Sequence, residues 1–210
     1  MQTIWQDLRY GARMLAKKPM FTLVAILTLA LGVGANTAIF TVINAVLLRP
    51  LPYEEAERLV VINTTMRRET IEARSASYPD FVDWRDQNTV FERIAAREGA
   101  SFNLTGGAEP ERVSGELASA DYFPLLRASA ALGRTFLPEE DRAPDTHRVA
   151  LVGHGLWQRR FGGNPALVGQ TIQLNGADYT VVGIMPEGFR GISAEAEIWL
   201  PMMMVSSIRP

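Results

Sequence analysis

Few side chains in this sequence could perform metal or nucleophilic chemistry. There is no cysteine, and the two histidines are His147 and His154. A zinc site needs further ligands that this pair does not supply, so we interpret both as surface or strand-end residues. The stretch "LPEED" places Glu139, Glu140 and Asp141 together, but it lacks the spaced oxygen ligands and the glycine of a calcium loop. We therefore expect a solvated loop there.

A second acidic group lies in "SYPDFVDWRDQ", where Asp80, Asp83 and Asp86 recur at every third position. They could face a cation together, but acidic side chains at such spacing usually form a solvated helix face. The phosphate-binding pattern GxxxxGK[ST] and the nucleophile elbow GxSxG are absent from the sequence. The sequence therefore predicts a non-enzymatic protein with no catalytic site, no metal site and no cofactor.

The strongest signal is an uncharged run from Phe21 to Leu48. As a helix it would be about 42 Å long, against about 30 Å for a bilayer core. It exceeds the apolar stretch of about 7–15 residues in a cleaved export signal, and it lacks the polar stripe of a soluble helix. We therefore predict a transmembrane helix over residues 21–48, which Pro50 and Pro52 would end.

The flanking charges predict the orientation of this span. Residues 1–20 carry Arg9, Arg13, Lys17 and Lys18 against Asp7, whereas the whole chain has a net charge of −2. Basic residues remain on the cytoplasmic side, so the N-terminus is predicted inside and residues after about 50 outside. The helical spacing of the basic residues predicts an amphipathic helix over 1–20 on the membrane surface; an ordinary solvated helix is the alternative.

Small residues cluster within the predicted span, and one polar amide lies among them: Gly32, Gly34, Ala35, Asn36 and Ala38. Small residues let membrane helices approach closely, and an amide at that depth needs a partner. We therefore predict that this face packs against other transmembrane helices. A lone anchor that tolerates these residues is the alternative.

Residues 53–210 are predicted to form an extracytoplasmic α+β domain of short helices and β-hairpins. Residues 58–65 favour a strand, Ser77 and Ser119 are typical helix caps, and Asn175–Gly176 suits a two-residue hairpin turn. The predicted core contains Ile172, Leu174, Val181, Trp157 and Phe161. The acidic balance and a pI near 5.8 argue against nucleic acid as a partner. The apolar "MMMV" near the last residue favours an incomplete domain, and a complete single-span protein is the alternative.

Several long stretches resemble the permeases of the macrolide-exporter (MacB) type within the FtsX-like ABC group, especially its duplicated members. They are "DLRYGARMLAKKPMFTLVAILTLALGVGANTAIFTVINAVLLRPLPY", "SYPDFVDWRDQN", "ASADYFPLL", "ALGRTFLPEED" and "VALVGHGLWQRRFGGNPALVGQTIQLNGADYTVVGIMPEGF". The resemblance implies an inner-membrane permease, multi-pass at full length, with a MacB-like periplasmic core domain between its first two spans.

The same resemblance implies the partners and the activity. They are a separate cytoplasmic ABC ATPase, the other spans of the permease, membrane lipid, a second copy in a dimer and an extracytoplasmic adaptor. The implied work is efflux of a substrate already outside, or signalling to an outer partner. An anchored binding or scaffold module without an ATPase is the competing interpretation.

Overall fold

The computed structural model describes residues 2–43, 53, 55–68, 70–74, 76–107 and 109–208. It divides the chain into two compact units, residues 1–52 and residues 53–210. Residues 44–48 of the predicted span and the two prolines expected to end it lie outside the described residues.

Residues 2–43 of the first unit form two helices, α1 (Gln2–Lys17) and α2 (Pro19–Ile43). Proline suits the first turn of α2, because the amide hydrogen that it lacks would have no helical acceptor there. At the junction, the Thr22 hydroxyl donates to the carbonyl oxygens of Leu15 at 2.7 Å and Lys18 at 3.1 Å. Within α2, residues 19–41 are long and apolar enough to cross a membrane. The most apolar part of this segment is not buried against any other part of the structure. The structure thus contains a helix suited to the predicted span, whereas its orientation remains a prediction.

The second unit contains nine strands and four short helices among the described residues. The strands are β1 (Thr64–Arg68), β2 (Thr70–Arg74), β3 (Arg97–Thr105), β4 (Glu111–Ala118), β5 (Leu132–Gly133), β6 (Val149–Val152), β7 (Thr171–Leu174), β8 (Ala177–Ile184) and β9 (Ile198–Pro201). The helices are α3 (Tyr78–Asp86), α4 (Tyr122–Leu125), α5 (His154–Phe161) and α6 (Val205–Ile208). Short 3₁₀ turns occur at Ala56–Arg58, Pro138–Asp141, Pro165–Leu167 and Met202–Met204. The predicted α+β class is confirmed.

Seven strands form one sheet in the order β5-β8-β6-β9-β4-β3-β7. Because β7 also pairs with β8, six of these strands close into a ring, and β5 lies beside β8. The pairs β4–β9 and β6–β8 are parallel, and the others are antiparallel. The sheet is therefore mixed rather than a set of hairpins alone. Strands β1 and β2 form a separate two-stranded ribbon.

Alternating side chains in the central strands supply two core clusters. Ala150 and Val152 of β6 belong to the first core cluster, whereas Leu151 between them belongs to the second. In β9, Ile198 lies in the first cluster and Trp199 in the second. Side chains therefore cover both faces of the central sheet. This agrees with the sequences of β6 and β9, which are almost continuously apolar, as is usual for strands buried on both faces.

The structure confirms some local predictions. Ser77 and Asp80 form a reciprocal capping box at the start of α3, with Ser77 N to Asp80 Oδ2 at 3.2 Å. The hairpin turn has positive φ at Asn175 (51°) and Gly176 (81°), as a type I′ turn requires.

Other local predictions were wrong. The strand predicted over 58–65 begins only at Thr64. Asp121, not Ser119, is at the N-cap of α4, because the Ser119 hydroxyl instead accepts a hydrogen bond from Ala96 N at 3.0 Å. In the predicted core, Ile172, Leu174 and Val181 are buried, whereas Trp157 and Phe161 are only partly buried.

Candidate functional site

Glu116 is a completely buried carboxylate on the face of β4 that the second core cluster covers. Its Oε2 accepts hydrogen bonds from the Tyr122 hydroxyl at 2.6 Å and from Trp199 Nε1 at 3.0 Å. Its Oε1 accepts from Ser193 N at 3.1 Å and lies 3.5 Å from Arg97 Nη1. A buried charge is tolerated only when such partners replace its water. Glu116 therefore joins β4, α4, β9 and the loop that precedes β9.

That loop, residues 186–197, closes over the buried carboxylate. Ile192 N donates to the Tyr122 hydroxyl oxygen at 2.8 Å, so the same phenol serves the loop and Glu116. Gly191 has a φ of +68°, and a Cβ there would overlap Glu116 Oε2. Glycine is needed at this position both for its backbone conformation and for the space.

Tyr53, the first described residue of the second unit, is packed at the edge of this site. Its ring meets Phe189 edge-on at 6.1 Å between centroids, and Phe189 in turn lies 5.4 Å from Trp199. Burial and the nearby charge of Glu116 raise the pKa of Tyr53 to about 12, against an opposing effect of Arg97. The point at which the chain enters the domain is thus anchored in the second core cluster.

A second buried carboxylate, Asp141, holds the segment that follows β9. Its Oδ1 accepts from Met203 N at 3.2 Å, and its Oδ2 accepts from Ala120 N at 3.3 Å. Burial raises the pKa of Asp141 to about 6, although these backbone N–H groups and the charge of Arg85 act in the opposite direction. The carboxylate therefore links the 3₁₀ turn of residues 138–141, the turn before α4 and the segment after β9.

Asp145 supports the same segment from the surface. Its backbone N–H donates to Met203 O at 3.1 Å, and its carboxylate accepts from the hydroxyls of Ser206 (2.9 Å) and Ser207. These hydrogen bonds lower the pKa of Asp145. Residues 202–208 are consequently fixed to the loop before β6.

The prediction of a solvated acidic loop at Glu139, Glu140 and Asp141 was wrong for two of the three residues. Glu139 is exposed, but Glu140 and Asp141 are buried. Burial alone would raise the pKa of Glu140, but its hydrogen bonds from Arg134, at 2.7 and 2.8 Å, and from Leu137 N hold it below its usual value. The run of consecutive acidic residues in the sequence does not reveal the Arg134 and Leu137 N–H groups that donate to Glu140.

The other polar residues singled out in the sequence are not brought into a common site. His154 lies edge-on to Trp157 at 5.5 Å, and His147 Nδ1 contacts the Thr146 hydroxyl at 2.9 Å. Asp80, Asp83 and Asp86 are exposed, as predicted for a solvated helix face. Over the described part of the chain, no three His, Asp or Glu side chains are grouped as metal ligands.

On α2, the hydroxyls of Thr28 and Thr41 donate to the carbonyl oxygens of Val24 (2.9 Å) and Thr37 (2.7 Å), so the helix itself satisfies them. Gly32 and Gly34 have no heavy atom within 4 Å of an added Cβ, which leaves open space beside both. Gly32, Gly34, Ala35, Asn36 and Ala38 are all exposed, and their packing against other helices remains a prediction.

Residues 22–209, which include most of the apolar helix and nearly all of the second unit, match the family described as the MacB-like periplasmic core domain. The chain belongs to this family. The match supports the resemblance seen in the sequence and makes this a core domain of the type found in ABC transporter permeases. Together with the apolar helix, it fits a membrane protein.

Two solved structures show the same fold as this MacB-like core domain. The periplasmic region of MacB from Actinobacillus actinomycetemcomitans is 14% identical, with a TM-score of 0.50 over 60% of this chain and 56% of that one. The extracellular domain of the noncanonic ABC-type transporter YknZ from Gram-positive bacteria is 16% identical, with a TM-score of 0.51 over 63% of this chain and 65% of that one. This chain therefore spans little more than half of the MacB region. Comparison with curated protein sequences gave no significant match.

Sequence reasoning missed Glu116 in this MacB-like core domain for a specific reason. In "ERVSGELA", Val113 and Leu117 alternate with Ser114 and Glu116, which reads as one buried and one solvated strand face. The second face is buried because residues 186–197 and α4 cover it. The only available signal was the concentration of aromatic residues around "DYF" and "GF", which predicts a second layer without giving its position.

Proposed function

We propose that this chain forms the first span and the core domain of an ABC-type permease, and that a separate cytoplasmic ATPase moves its extracytoplasmic domain. The observation that carries the proposal is the family match over residues 22–209, which joins an apolar helix to a folded core domain in one chain. The chain itself neither binds nor hydrolyses ATP, because its sequence lacks the glycine-rich loop and lysine that hold phosphates. Its N-terminus is cytoplasmic, in keeping with the basic residues before the span.

The anchoring of the domain at Tyr53 and at Met203 supports a mechanical role. The chain enters at Tyr53, which packs on Phe189 near the Glu116 site, and it continues beyond β9 through Met203, which Asp141 holds. Close-packed interiors transmit displacement with little compression. A movement applied at Tyr53 or at Met203 would therefore be carried through the sheet instead of being absorbed by a loose loop. The resulting work is extrusion of an external substrate or signalling to an outer partner.

In this proposal, the small residues of α2 connect the span to the moving part of the permease. Gly34 lies on the same helical face as Ala38, with open space beside it. Leucine at position 34 would prevent close approach of a neighbouring helix. Ala25 lies about half a turn around the helix from Gly34, so Ala25→Leu provides the same kind of change on the opposite face.

The experiment compares Gly34→Leu and Ala25→Leu in the full-length permease, in lipid, with its ATPase. We expect Gly34→Leu to reduce co-purification of the ATPase and its stimulated hydrolysis rate at least about tenfold, equivalent to about 1.4 kcal/mol. Ala25→Leu should leave both near the wild-type level. Equal behaviour of the two variants would remove this helix face from the coupling path. Saturable ATP binding by the purified chain alone would overturn the division of labour between permease and ATPase.

A further inference from the structure

The six-stranded ring is closed by a short seam between β3 and β7. Two residue pairs join these strands, whereas eight join β3 to β4. The seam pairs are Leu104 with Leu174 and Thr105 with Gln173. The β6–β9 ladder is equally short, but its residues are fully buried, whereas Gln173 is exposed and Thr105 is partly exposed. The seam is therefore the place where the ring opens locally at the lowest cost.

Asn175 extends this seam by one residue. Its backbone N–H donates to Asn103 O at 2.9 Å, and its side-chain Oδ1 accepts from Asn103 N at 2.8 Å. The side-chain amide thus takes the place of the main-chain carbonyl with which a further strand residue would pair. Because Asn175 also begins the turn from β7 to β8, this one residue fixes both the turn and the closure of the ring.

The residue that follows gives Asn175 a chemical reactivity. In an Asn–Gly sequence the glycine nitrogen can attack the asparagine Cγ, because the glycine has no Cβ to hinder the approach. The N–Cγ bond forms and the bond from Cγ to the side-chain nitrogen breaks. The proton that the glycine nitrogen gives up leaves with the side-chain nitrogen as ammonia, and a five-membered imide remains. Water hydrolyses the imide at either carbonyl, to aspartate or to isoaspartate, whose backbone is longer by one methylene. Asn175 and Gly176 are both exposed to solvent water.

The closed seam opposes this reaction in two ways. With a φ of 51°, Asn175 occupies the first central position of a type I′ turn, where ψ is about +30°. At that ψ the Gly176 nitrogen lies nearly opposite Cβ across the Cα–C bond, whereas formation of the imide requires the two to be eclipsed. The hydrogen bond from Asn103 N also fixes the side-chain amide against β3. The reacting atoms therefore reach attack geometry only after the turn and the seam have opened.

We propose that Asn175–Gly176 is a site of spontaneous deamidation that the closed ring protects, so that modified chains accumulate only through an open β3–β7 seam. An aspartate at position 175 keeps an oxygen that can accept from Asn103 N. An isoaspartate lengthens a two-residue turn and removes the geometry that the hairpin requires. Opening of the seam is reversible before the reaction and leaves a permanent chemical record after it. The inference depends on the hairpin and the ring, and not on the proposed transport role.

The test measures deamidation of the 210-residue chain in nanodiscs, in mildly alkaline buffer. Digestion at low pH and mass spectrometry then quantify the modified peptide that contains Asn175. The references are the same chain in concentrated urea and a synthetic peptide of residues 170–181. We expect the folded chain to react at least about tenfold more slowly than both references, because only open molecules react. The product should be a mixture of isoaspartate and aspartate. Equal rates in the folded and unfolded chains, or aspartate as the only product, would overturn the proposal.

Two leucine variants separate opening of the seam from unfolding of the whole domain. Leu104→Ala removes a buried side chain that pairs across the seam, and Leu156→Ala removes the same side chain from α5 in the same core cluster. Both variants destabilise the domain. Under conditions in which both remain folded, we expect Leu104→Ala to deamidate at least about threefold faster than Leu156→Ala. Equal rates would place the reaction in globally unfolded molecules and would overturn the role of the seam.

A surface pair makes the same comparison without a core cavity. Thr105→Val removes the hydrogen bond from the Thr105 hydroxyl to Gln173 Oε1, which measures 2.6 Å. Ser101→Val is the matched control, at an exposed position of β3 that pairs with β4. We expect deamidation about threefold faster in Thr105→Val and the wild-type rate in Ser101→Val. An unchanged rate in Thr105→Val would show that the seam does not control the reaction and would contradict the proposal.

Discussion

Glu116 and Asp141 are both buried carboxylates in the same domain, but they are satisfied in different ways. Glu116 accepts hydrogen bonds from a phenol, an indole N–H and a backbone N–H, and the guanidinium of Arg97 lies 3.5 Å away. Among the residues that the structure describes, Asp141 accepts only from backbone N–H groups, and it forms no ion pair at contact distance with Arg85, whose positive charge acts from further away. The first site anchors the chain where it enters the domain, and the second holds the segment after β9.

The difference in partners predicts a difference in behaviour. Removing Glu116 would leave several side-chain and backbone donors buried without an acceptor. Removing the charge of Asp141 would relieve a burial cost that its donors only partly offset, as its pKa of about 6 indicates. Glu116 should therefore act as a structural anchor, and the protonation state of Asp141 should change with pH near 6.

The largest expected effect is that of Glu116→Ala. The substitution leaves Trp199 Nε1 and Ser193 N without an acceptor and opens a cavity beside Tyr122. Breaking a buried charged site in this way costs about 3–5 kcal/mol. Urea unfolding of the whole chain in detergent micelles, followed by tryptophan fluorescence, would measure the loss.

Glu195→Ala is the control, because Glu195 lies in the same covering loop but is exposed. It should change the free energy of unfolding by less than about 0.5 kcal/mol. If Glu116→Ala lowers the free energy of unfolding by less than about 1 kcal/mol, Glu116 does not anchor the loop. Such a result would indicate that the loop rearranges around the missing carboxylate.

The next effect concerns pH and Asp141. Its folded-state pKa of about 6 is above its ordinary value, so the folded chain binds more protons than the unfolded chain between these two values. The contribution of Asp141 to stability should therefore increase as pH falls from about 7 towards 4, by up to about 3 kcal/mol. Unfolding free energies measured at half-unit pH intervals would test the sign.

Asp141→Asn should flatten this pH dependence, and that flattening separates Asp141 from the other carboxylates. Glu140, Glu55 and Asp145 have lowered pKa values, so their contributions are lost as pH falls below about 4.5. The comparison is therefore clearest between pH 7 and 5. An unfolding free energy that falls over this range in the wild-type chain, to the same extent in Asp141→Asn, would contradict the assigned role.

The sequence predicted the features that depend on neighbouring residues. The apolar helix, the Ser77 capping box and the Asn175–Gly176 turn each require only a few consecutive letters, and the structure contains all three. The features it missed depend on distant segments. Glu116 receives hydrogen bonds from Ser193 and Trp199, and Asp141 from Met203, across long stretches of chain.

The strand predicted over residues 58–65 shows the same limit in another form. Its β-branched composition is correct for a strand, but pairing needs a partner, and ribbon pairing begins only at Thr64. Composition can therefore identify a strand-forming segment without specifying its partner.

The smallest effect separates the shape of the covering loop from its contact with Glu116. Gly191 and Gly188 both lie in this loop and both have positive φ, 68° and 82°. Alanine at either position costs backbone strain of about 1–2 kcal/mol, but only at position 191 would the new Cβ also meet Glu116 Oε2 and the Tyr122 hydroxyl. We expect Gly191→Ala to lose about 1–2 kcal/mol more than Gly188→Ala in the same urea titration. In a Glu116→Ala background the overlap with Oε2 is absent, so the difference between the two glycine variants should shrink. If the two glycine variants still differ in unfolding free energy in that background, the extra cost comes from contact with the Tyr122 hydroxyl. The phenol, and not the Glu116 carboxylate, would then be the group that fixes the covering loop.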